Sequence, residues 1–294
     1  MKTQDYCSLY YVLLIFLVAV RNGNCQNINN YKNENNSFAN EDSVKYYNVG
    51  VDMGIINREK YTLESFQRDD HNIFRDTYRE YLALNQSAPI NYADWLILNN
   101  FGVFPDTQES MYQRKISKRS TADNKRAFMN TVRTGDILIT GRGIGGLLGH
   151  AAIMTTNYWV LEMPGGPGFD RGIPDNNRQL GKDEWFDKHA SDWTTVYRCP
   201  DSDAARSAAR WADHTFYNPS GGVTKTKHIT YRLNTDIWSI DPSYCSKLVI
   251  QAYYFGTGNK SVIKNLSLIG RIIVPSTIPS YFLSPYKLVK KGRY

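Results

Sequence analysis

Three short apolar runs, Asp136–Thr140, Ala151–Met154 and Trp159–Met163, follow one another closely and are parted by glycine- and asparagine-rich turns. Runs of four or five residues bounded by such turns read as strands, and the turn around Asn157 makes the last two a hairpin. A chain with this centre builds a small antiparallel sheet. The sheet must then bury one face against helices. Val196–Arg198 adds a short strand, Ile229, Tyr231 and Leu233 alternate with polar residues as a half-buried strand does, and Arg271–Val274 reads as a last strand closed by Pro275.

The helical signals flank this centre. Residues 57–84 carry a helical rhythm in Leu63, Phe66, Phe74, Tyr78, Tyr81 and Leu82. Residues 92–100 form a short helix, with Asn91 as N-cap, Trp95, Leu96 and Leu98 inward, and Gly102 at its end. An Ala-rich helix spans 203–216, capped by Ser202 or Asp201. A further helix runs from Ser243 to Phe255, with Asp241 as cap, Pro242 at its first position and Gly256 as terminator. The fold class expected is α+β.

The amino terminus bears on compartment. Val12–Val20 is an apolar run of nine residues, after Lys2 and before Gly23-Asn24-Cys25. A bilayer span needs about 20 such residues, so this run does not cross one. A charged start, a short apolar stretch and a small-residue exit are the parts of a secretory signal peptide, expected to end at Cys25. A lipoprotein reading, with Cys25 acylated, lacks the usual residues before it. No later apolar run is long enough to span a membrane. The mature chain would keep 33 basic and 27 acidic residues, a balance of +6 against +7 for the whole sequence. Such a charge suits acidic surfaces or polymers. Asn-x-Ser sequons at Asn35, Asn85, Asn259 and Asn265 are glycan acceptors if the host glycosylates.

Residues 26–43 are Asn-rich and read as a flexible leader. The run Arg114-Lys115-Ile116-Ser117-Lys118-Arg119 is either a solvated linker or a dibasic processing site that frees a pro-segment. The expected organisation is a signal peptide at 1–25, a leader and helical region at 26–130, and a catalytic domain at 131–294.

Several motifs fail their chemical context. Gly141–Gly146 matches G-x-G-x-x-G, yet the loop runs into a strand rather than a helix, so it holds no dinucleotide. A flexible or closely approached loop beside a site is the better reading. The histidines (His71, His150, His189, His214 and His228) have no zinc-finger spacing, and the mature cysteines Cys199 and Cys245 are far apart, so neither a metal site nor a cofactor is expected.

Cys245 carries the sharpest signal. It lies in the first turn of the 243–255 helix, where unpaired N–H groups and the helix dipole favour a thiolate. A neighbouring imidazolium would lower its pKa further and prepare a nucleophile. The bland readings are an inert buried thiol or a Cys199–Cys245 disulfide. His150 opens a strand behind the glycine loop and can face that helix start. Glu162 lies in the neighbouring strand, placed to accept the second imidazole N–H, or else it is a surface acid. His189, His214 and His228 sit in ordinary polar contexts and are read as non-catalytic.

Gly135-Asp136-Ile137-Leu138, Gly149-His150-Ala151-Ala152-Ile153, Val160-Leu161-Glu162 and Tyr244-Cys245-Ser246-Lys247-Leu248-Val249, in that order, resemble the circularly permuted, papain-like branch of the NlpC-type hydrolases. The YiiX-like proteins are its bacterial type, and lecithin:retinol acyltransferase is a distant relative. The resemblance covers residues 131–275. It implies Cys245 as nucleophile, His150 as base and Glu162 as the third polar residue. Together with the signal-peptide pattern it points to a secreted thiol hydrolase acting through a thioester, and it implies substrates with amide bonds, such as peptidoglycan peptides or N-acyl amino acids. The substrates expected are peptide, cell-wall or acylated small molecules, with no nucleic acid. Two other readings stand beside it: a lipid acyltransferase or lipase, and an inactive binding or effector module.

Overall fold

A computed structural model of the chain describes residues 36–83, 89–112, 120–141, 143, 146–258, 260–268 and 272–294. The signal peptide, the basic run Arg114–Arg119, the sequons at Asn35, Asn85 and Asn259, and Arg142, Ile144 and Gly145 of the glycine loop lie outside the described residues. Among the described residues there are eight α-helices and one six-stranded sheet, an α+β architecture.

The helical region comes first. It holds α1 (Asn36–Asp52), α2 (Leu63–Asp69), a π-helical turn (Asp70–Phe74), α3 (Arg75–Leu82), α4 (Tyr92–Leu98) and α5 (Thr121–Thr131). Asn91 caps α4 as expected, its side chain accepting the Asp94 N–H at 2.9 Å. The Asn-rich leader is helical from Asn36 onward, which corrects the expectation of a flexible segment to residue 43. Tertiary contacts override composition here: Tyr47 is buried in the core and Ser43 bonds the buried Asp70 carboxylate.

The sheet contains β1 (Ile137–Thr140), β2 (His150–Met154), β3 (Trp159–Glu162), β4 (Arg178–Gly181), β5 (Thr194–Arg198) and β6 (Val289–Arg293). Its order is β4-β3-β2-β1-β5-β6 and every neighbouring pair is antiparallel. Between β4 and β5 runs α6 (Lys182–Lys188). After β5 come α7 (Ser202–Phe216), capped by Asp201, and α8 (Cys245–Gly256).

Both faces of the central sheet are covered, so β1, β2 and most of β5 are buried on either side rather than alternately wet, while the edge strands β4 and β6 are more open. Leu138, Ala152, Val160 and Val196 pack with Phe128 of α5 and with Trp185 and Phe186 of α6. Ile137, Ile139, Ala151 and Ile153 point the other way, into the main core with α7 and α8. That core is continuous with the helical region, reaching from Tyr47 to Phe282.

Two expected strands do not form among the described residues. Tyr231 makes only isolated bridges, to Ile173 and to Ser243, and Ile229 donates its N–H to the Asn177 side chain at 2.7 Å. Its partners are loops, so the alternation at 229–233 builds no ladder. Residues 272–274 are extended without strand pairing and lead into a 3₁₀ helix, Pro275–Tyr281. The cap of α8 also differs. Tyr244 occupies the N-cap without a side-chain bond, and the Asp241 carboxylate accepts the Thr230 N–H instead (3.0 Å).

Candidate active site

The β2–β3 register fixes two of the three candidate residues. Ala152 stands opposite Glu162. His150, two residues before Ala152, is therefore the diagonal neighbour of Glu162 on the same face, within reach of a long side chain. His150 Nε2 donates to Glu162 Oε2 at 2.7 Å. An ionised carboxylate only accepts, so the Nε2 proton is fixed on the ring and Nδ1 is left for another partner.

That partner is Cys245. It begins α8, in the layer on the opposite face of the sheet. Because His150 is the first residue of β2, the sheet ends beside it and the two layers meet there. The His150 ring and the Ala151 N–H both act on the Cys245 sulfur and favour its thiolate. Residue 273 clamps this turn on both sides. Its N–H donates to the Tyr244 hydroxyl (3.0 Å), and its carbonyl accepts from Ser246 Oγ (2.6 Å). Lys247 Nζ donates to Asn234 Oδ1, Ser239 Oγ and the Pro242 carbonyl at 2.9–3.2 Å, which straps the preceding segment to the same helix. Burial pulls the Lys247 ammonium down to about 8.

The charges are strongly coupled. Burial alone would depress the His150 imidazole, but the bonds to Cys245 and Glu162 outweigh it and push it up to about 10. Burial would raise the Cys245 thiol, yet the His150 ring brings it below its ordinary value. Both are nearly closed to solvent, at 4% and 5% exposure. Both shifts run toward a thiolate–imidazolium pair, the form that attacks carbonyl carbon. Cys199 is buried and free, as is Cys245, so the two form no disulfide.

Glu162 is not a surface acid. Its Oε1 accepts from Arg178 Nε at 2.8 Å, and Oε2 from Trp185 Nε1 at 3.0 Å. His189 Nε2 lies 3.7 Å from Oε2, and its ring stacks on His150 with centroids 5.7 Å apart. Burial would raise the Glu162 carboxyl, but His150, His189 and Arg178 together hold it well below the usual carboxylate range.

Sequence reasoning missed these partners. Arg178 is the residue directly opposite Glu162 in the β3–β4 ladder. Trp185 and His189 are four apart on one side of α6 and its C-cap. The i, i+4 spacing of an aromatic and a histidine was the available signal, and reading His189 as an ordinary polar histidine is corrected here. His214 and His228 lie away from the site; His228 pairs with Asp175 on the surface at 2.8 Å.

His150, Glu162 and His189 have ligand-type atoms within 4.8 Å of one another, close enough to raise the question of a metal. Glu162 is already occupied by proton donors from His150, Arg178 and Trp185, and His150 by both Glu162 and Cys245. His189 Nε2, buried and 3.7 Å from Glu162 Oε2, is the one cluster atom without a hydrogen-bond partner among the described residues.

The glycine loop matters through contact rather than phosphate binding. Gly146 has φ +74°, and a Cβ there would meet the Tyr81 backbone at 2.6 Å. Its carbonyl accepts from Trp95 Nε1 (2.9 Å), and Leu148 N–H donates to Asn99 (2.8 Å). Helix α4 of the helical region thereby pins the loop that leads into His150.

A six-stranded antiparallel sheet bearing a histidine and an acid, with a cysteine starting the helix across its end, defines an enzyme of the papain-like acyl-transfer or hydrolase type. The chain belongs to the LnsA-like lipoprotein N-acylation protein family, whose model matches residues 97–294. A relative from Bacillus thuringiensis, described as an uncharacterized 30.3 kDa protein, is 31% identical over 260 residues, covering 85% of this chain and 90% of its own. No solved structure matches.

Proposed function

We propose that the protein transfers an acyl group through a thioester on Cys245, with His150 as proton carrier and Glu162 as the residue that orients and charges it. The carrying observation is that Cys245, His150 and Glu162 are buried together, with His150 Nε2 2.7 Å from Glu162 Oε2 and the His150 ring lowering the Cys245 thiol.

The Cys245 thiolate attacks the carbonyl carbon of an ester or amide donor. The carbonyl electron pair moves onto oxygen, and the Cys245 N–H, at a helix start without a side-chain cap, is the candidate donor to that oxyanion. The tetrahedral centre collapses, the C–O or C–N bond breaks, and the imidazolium gives its proton to the leaving group. The acyl group is now a thioester. An incoming amine loses a proton to His150, its nitrogen forms the new bond to the acyl carbon, and the thiolate departs as leaving group.

The order of the parts, histidine strand before cysteine helix, supports placing the chain in the permuted, YiiX-like branch. The acceptor separates transfer from hydrolysis. The family's description, lipoprotein N-acylation, favours an amino group. Amide hydrolysis uses the same residues with water in place of the amine. We place the activity outside the cytoplasm, on the strength of the charged, apolar and small-residue pattern of residues 1–25.

The test is direct. The purified chain is given a fluorescent phospholipid or acyl-ester donor with and without a peptide bearing a free amino-terminal cysteine. An acylated protein species that disappears into N-acylpeptide on adding the acceptor supports transfer. Release of free acid regardless of acceptor makes the protein a hydrolase, and no adduct in folded protein overturns both.

A further inference from the structure

Trp238 is 49% exposed on a segment otherwise fastened down. Lys247 holds Asn234, Ser239 and Pro242, and Gln251 Nε2 donates to the carbonyls of Ile237 and Ser239 at 2.7 and 2.8 Å. The segment is therefore a fixed strap along α8 with a tryptophan at its tip. Trp238 lies 5.9 Å from Tyr254 and 6.1 Å from Phe255, and Phe255 stacks on Trp211 of α7 at 5.4 Å. Four rings thus form a continuous, partly exposed band on the outer edge of α7 and α8. Beside it is a groove of about 290 Å³, lined by Ser207, Arg210, Trp211, His214 and Gly256. Arg210 is exposed and forms no ion pair with a described residue.

An exposed cluster of large rings is costly in water and marks an interaction surface. Trp and Tyr, with an apolar body and a polar edge, are suited to the boundary between hydrocarbon and water. Arg210 and His214 place basic side chains at the margin of the band, where phosphate groups of a bilayer would lie, and the chain as a whole is +7.

We infer that this aromatic band and its basic groove are a docking face for the surface of a bilayer containing anionic phospholipid. This deepens the acyl-transfer reading and rests on it for its purpose, since a lipid donor and a lipid-anchored acceptor both reside there. The physical claim, attachment to the bilayer, stands on the band itself. Cys245 and Phe255 are at opposite ends of α8, about 15 Å apart at 1.5 Å per residue, so docking leaves the thiol on the same molecule close to the surface.

The full chain is sedimented with vesicles of phosphatidylcholine alone and of phosphatidylcholine with phosphatidylglycerol. Binding is expected to be stronger with phosphatidylglycerol and to weaken with salt. Trp238→Ala should lower partitioning about tenfold on both vesicle types. Arg210→Glu should lower it at least about fivefold on the anionic vesicles alone. The Cys245 alkylation rate in solution, unchanged in both variants, shows that they are folded. Vesicle binding that is absent, or equal in wild type and both variants, overturns the inference. So does a dimer in sedimentation velocity that Trp238→Ala dissolves without altering vesicle binding, which would assign the band to a second copy of the chain. Cys245→Ala must still bind vesicles. Docking without transfer removes the proposed function alone, and transfer without docking removes this inference alone.

Discussion

Asp69 in the helical region and Glu162 in the sheet are almost equally buried, at 3% and 1% exposure, and their acidities move in opposite directions. Burial raises the Asp69 carboxyl, and what it receives is chiefly a neutral bond from the Tyr61 hydroxyl at 2.7 Å, a weak one from Ser110 and a distant Arg68. Glu162 suffers the same desolvation but faces Arg178 and two imidazoles, which keep it charged. Neutral donors and opposite charge both favour the ionised acid, but at Asp69 the few neutral bonds do not offset burial, whereas the bonds and charges around Glu162 do. The first acid ties α2 to the aromatic core of the helical region, and the second stores charge next to a thiol.

The largest break in this comparison comes from the thiol. Cys245→Ala should lower acyl transfer by at least about 10⁴-fold, because no other group can form the thioester. It should leave the melting temperature within a few degrees, since the sulfur fills little space. Steady-state turnover on a fluorescent ester, with calorimetry as control, checks both. His150→Ala comes next. It also removes turnover, and it removes the counter-charge that lowers the Cys245 thiol. Iodoacetamide labelling, which in the wild type is expected to be rapid well below pH 8.5, should shift to that range or above, because burial is then opposed only by the Ala151 N–H and the Ser246 hydroxyl. Superimposable pH profiles for wild type and His150→Ala would refute the ion pair.

Which residues could be read in advance follows from how local their determinants are. Cys245 was legible because Pro242 and Gly256 bracket an apolar helix, and the first turn of any helix carries free N–H groups. His150 and Glu162 were legible because a tight hairpin fixes which residues share a face. Arg178, Trp185 and His189 were hidden because β4 is only four residues, with polar Arg178 and Gln179 at its start, and its pairing with β3 is set by tertiary contact. The 229–233 alternation misled for the converse reason. Its rhythm is that of a strand, but Asn177, Ile173 and Ser243 supply only scattered partners. The helical leader at Asn36–Ser43 escaped because its support, Asp70 and the ring cluster around Phe66, comes from elsewhere in the chain.

Glu162→Gln should have an intermediate effect. The amide keeps the shape but loses the charge, and it can present its NH₂ to His150, so the ring's tautomer is no longer enforced. A loss of about 10²–10⁴ in kcat with a smaller change in KM is expected. Stability should fall by about 2–3 kcal/mol, since Arg178 loses its buried counter-charge but is itself partly solvated. The pH dependence has a definite sign. With a folded-state value below the unfolded one, Glu162 contributes stability above about pH 4 that is lost as pH falls through its lowered value. Urea midpoints should therefore drop in acid less for Glu162→Gln than for the wild type.

Asp69→Asn should have the smallest effect and the opposite sign. Asp69 has a folded-state value raised above the unfolded one, so the folded state binds more protons over the interval between them. Its contribution to stability is greatest below about pH 4 and declines as pH rises through the raised value, which leaves a cost at pH 7. Asparagine removes that cost and still accepts from the Tyr61 hydroxyl, while its NH₂ takes the place of an oxygen that met only Arg68, at 3.5 Å. Arg68 is half exposed, so losing that contact costs little. The expected change at pH 7 is between zero and about 1 kcal/mol in favour of the variant, with a flatter profile of urea midpoint between pH 4 and 7. Cys245 alkylation should be untouched, because Asp69 shares no hydrogen bond with the site. A variant that loses as much stability as Glu162→Gln at neutral pH would mean that Asp69 is held as a charge by its surroundings, and the contrast between the two acids would collapse.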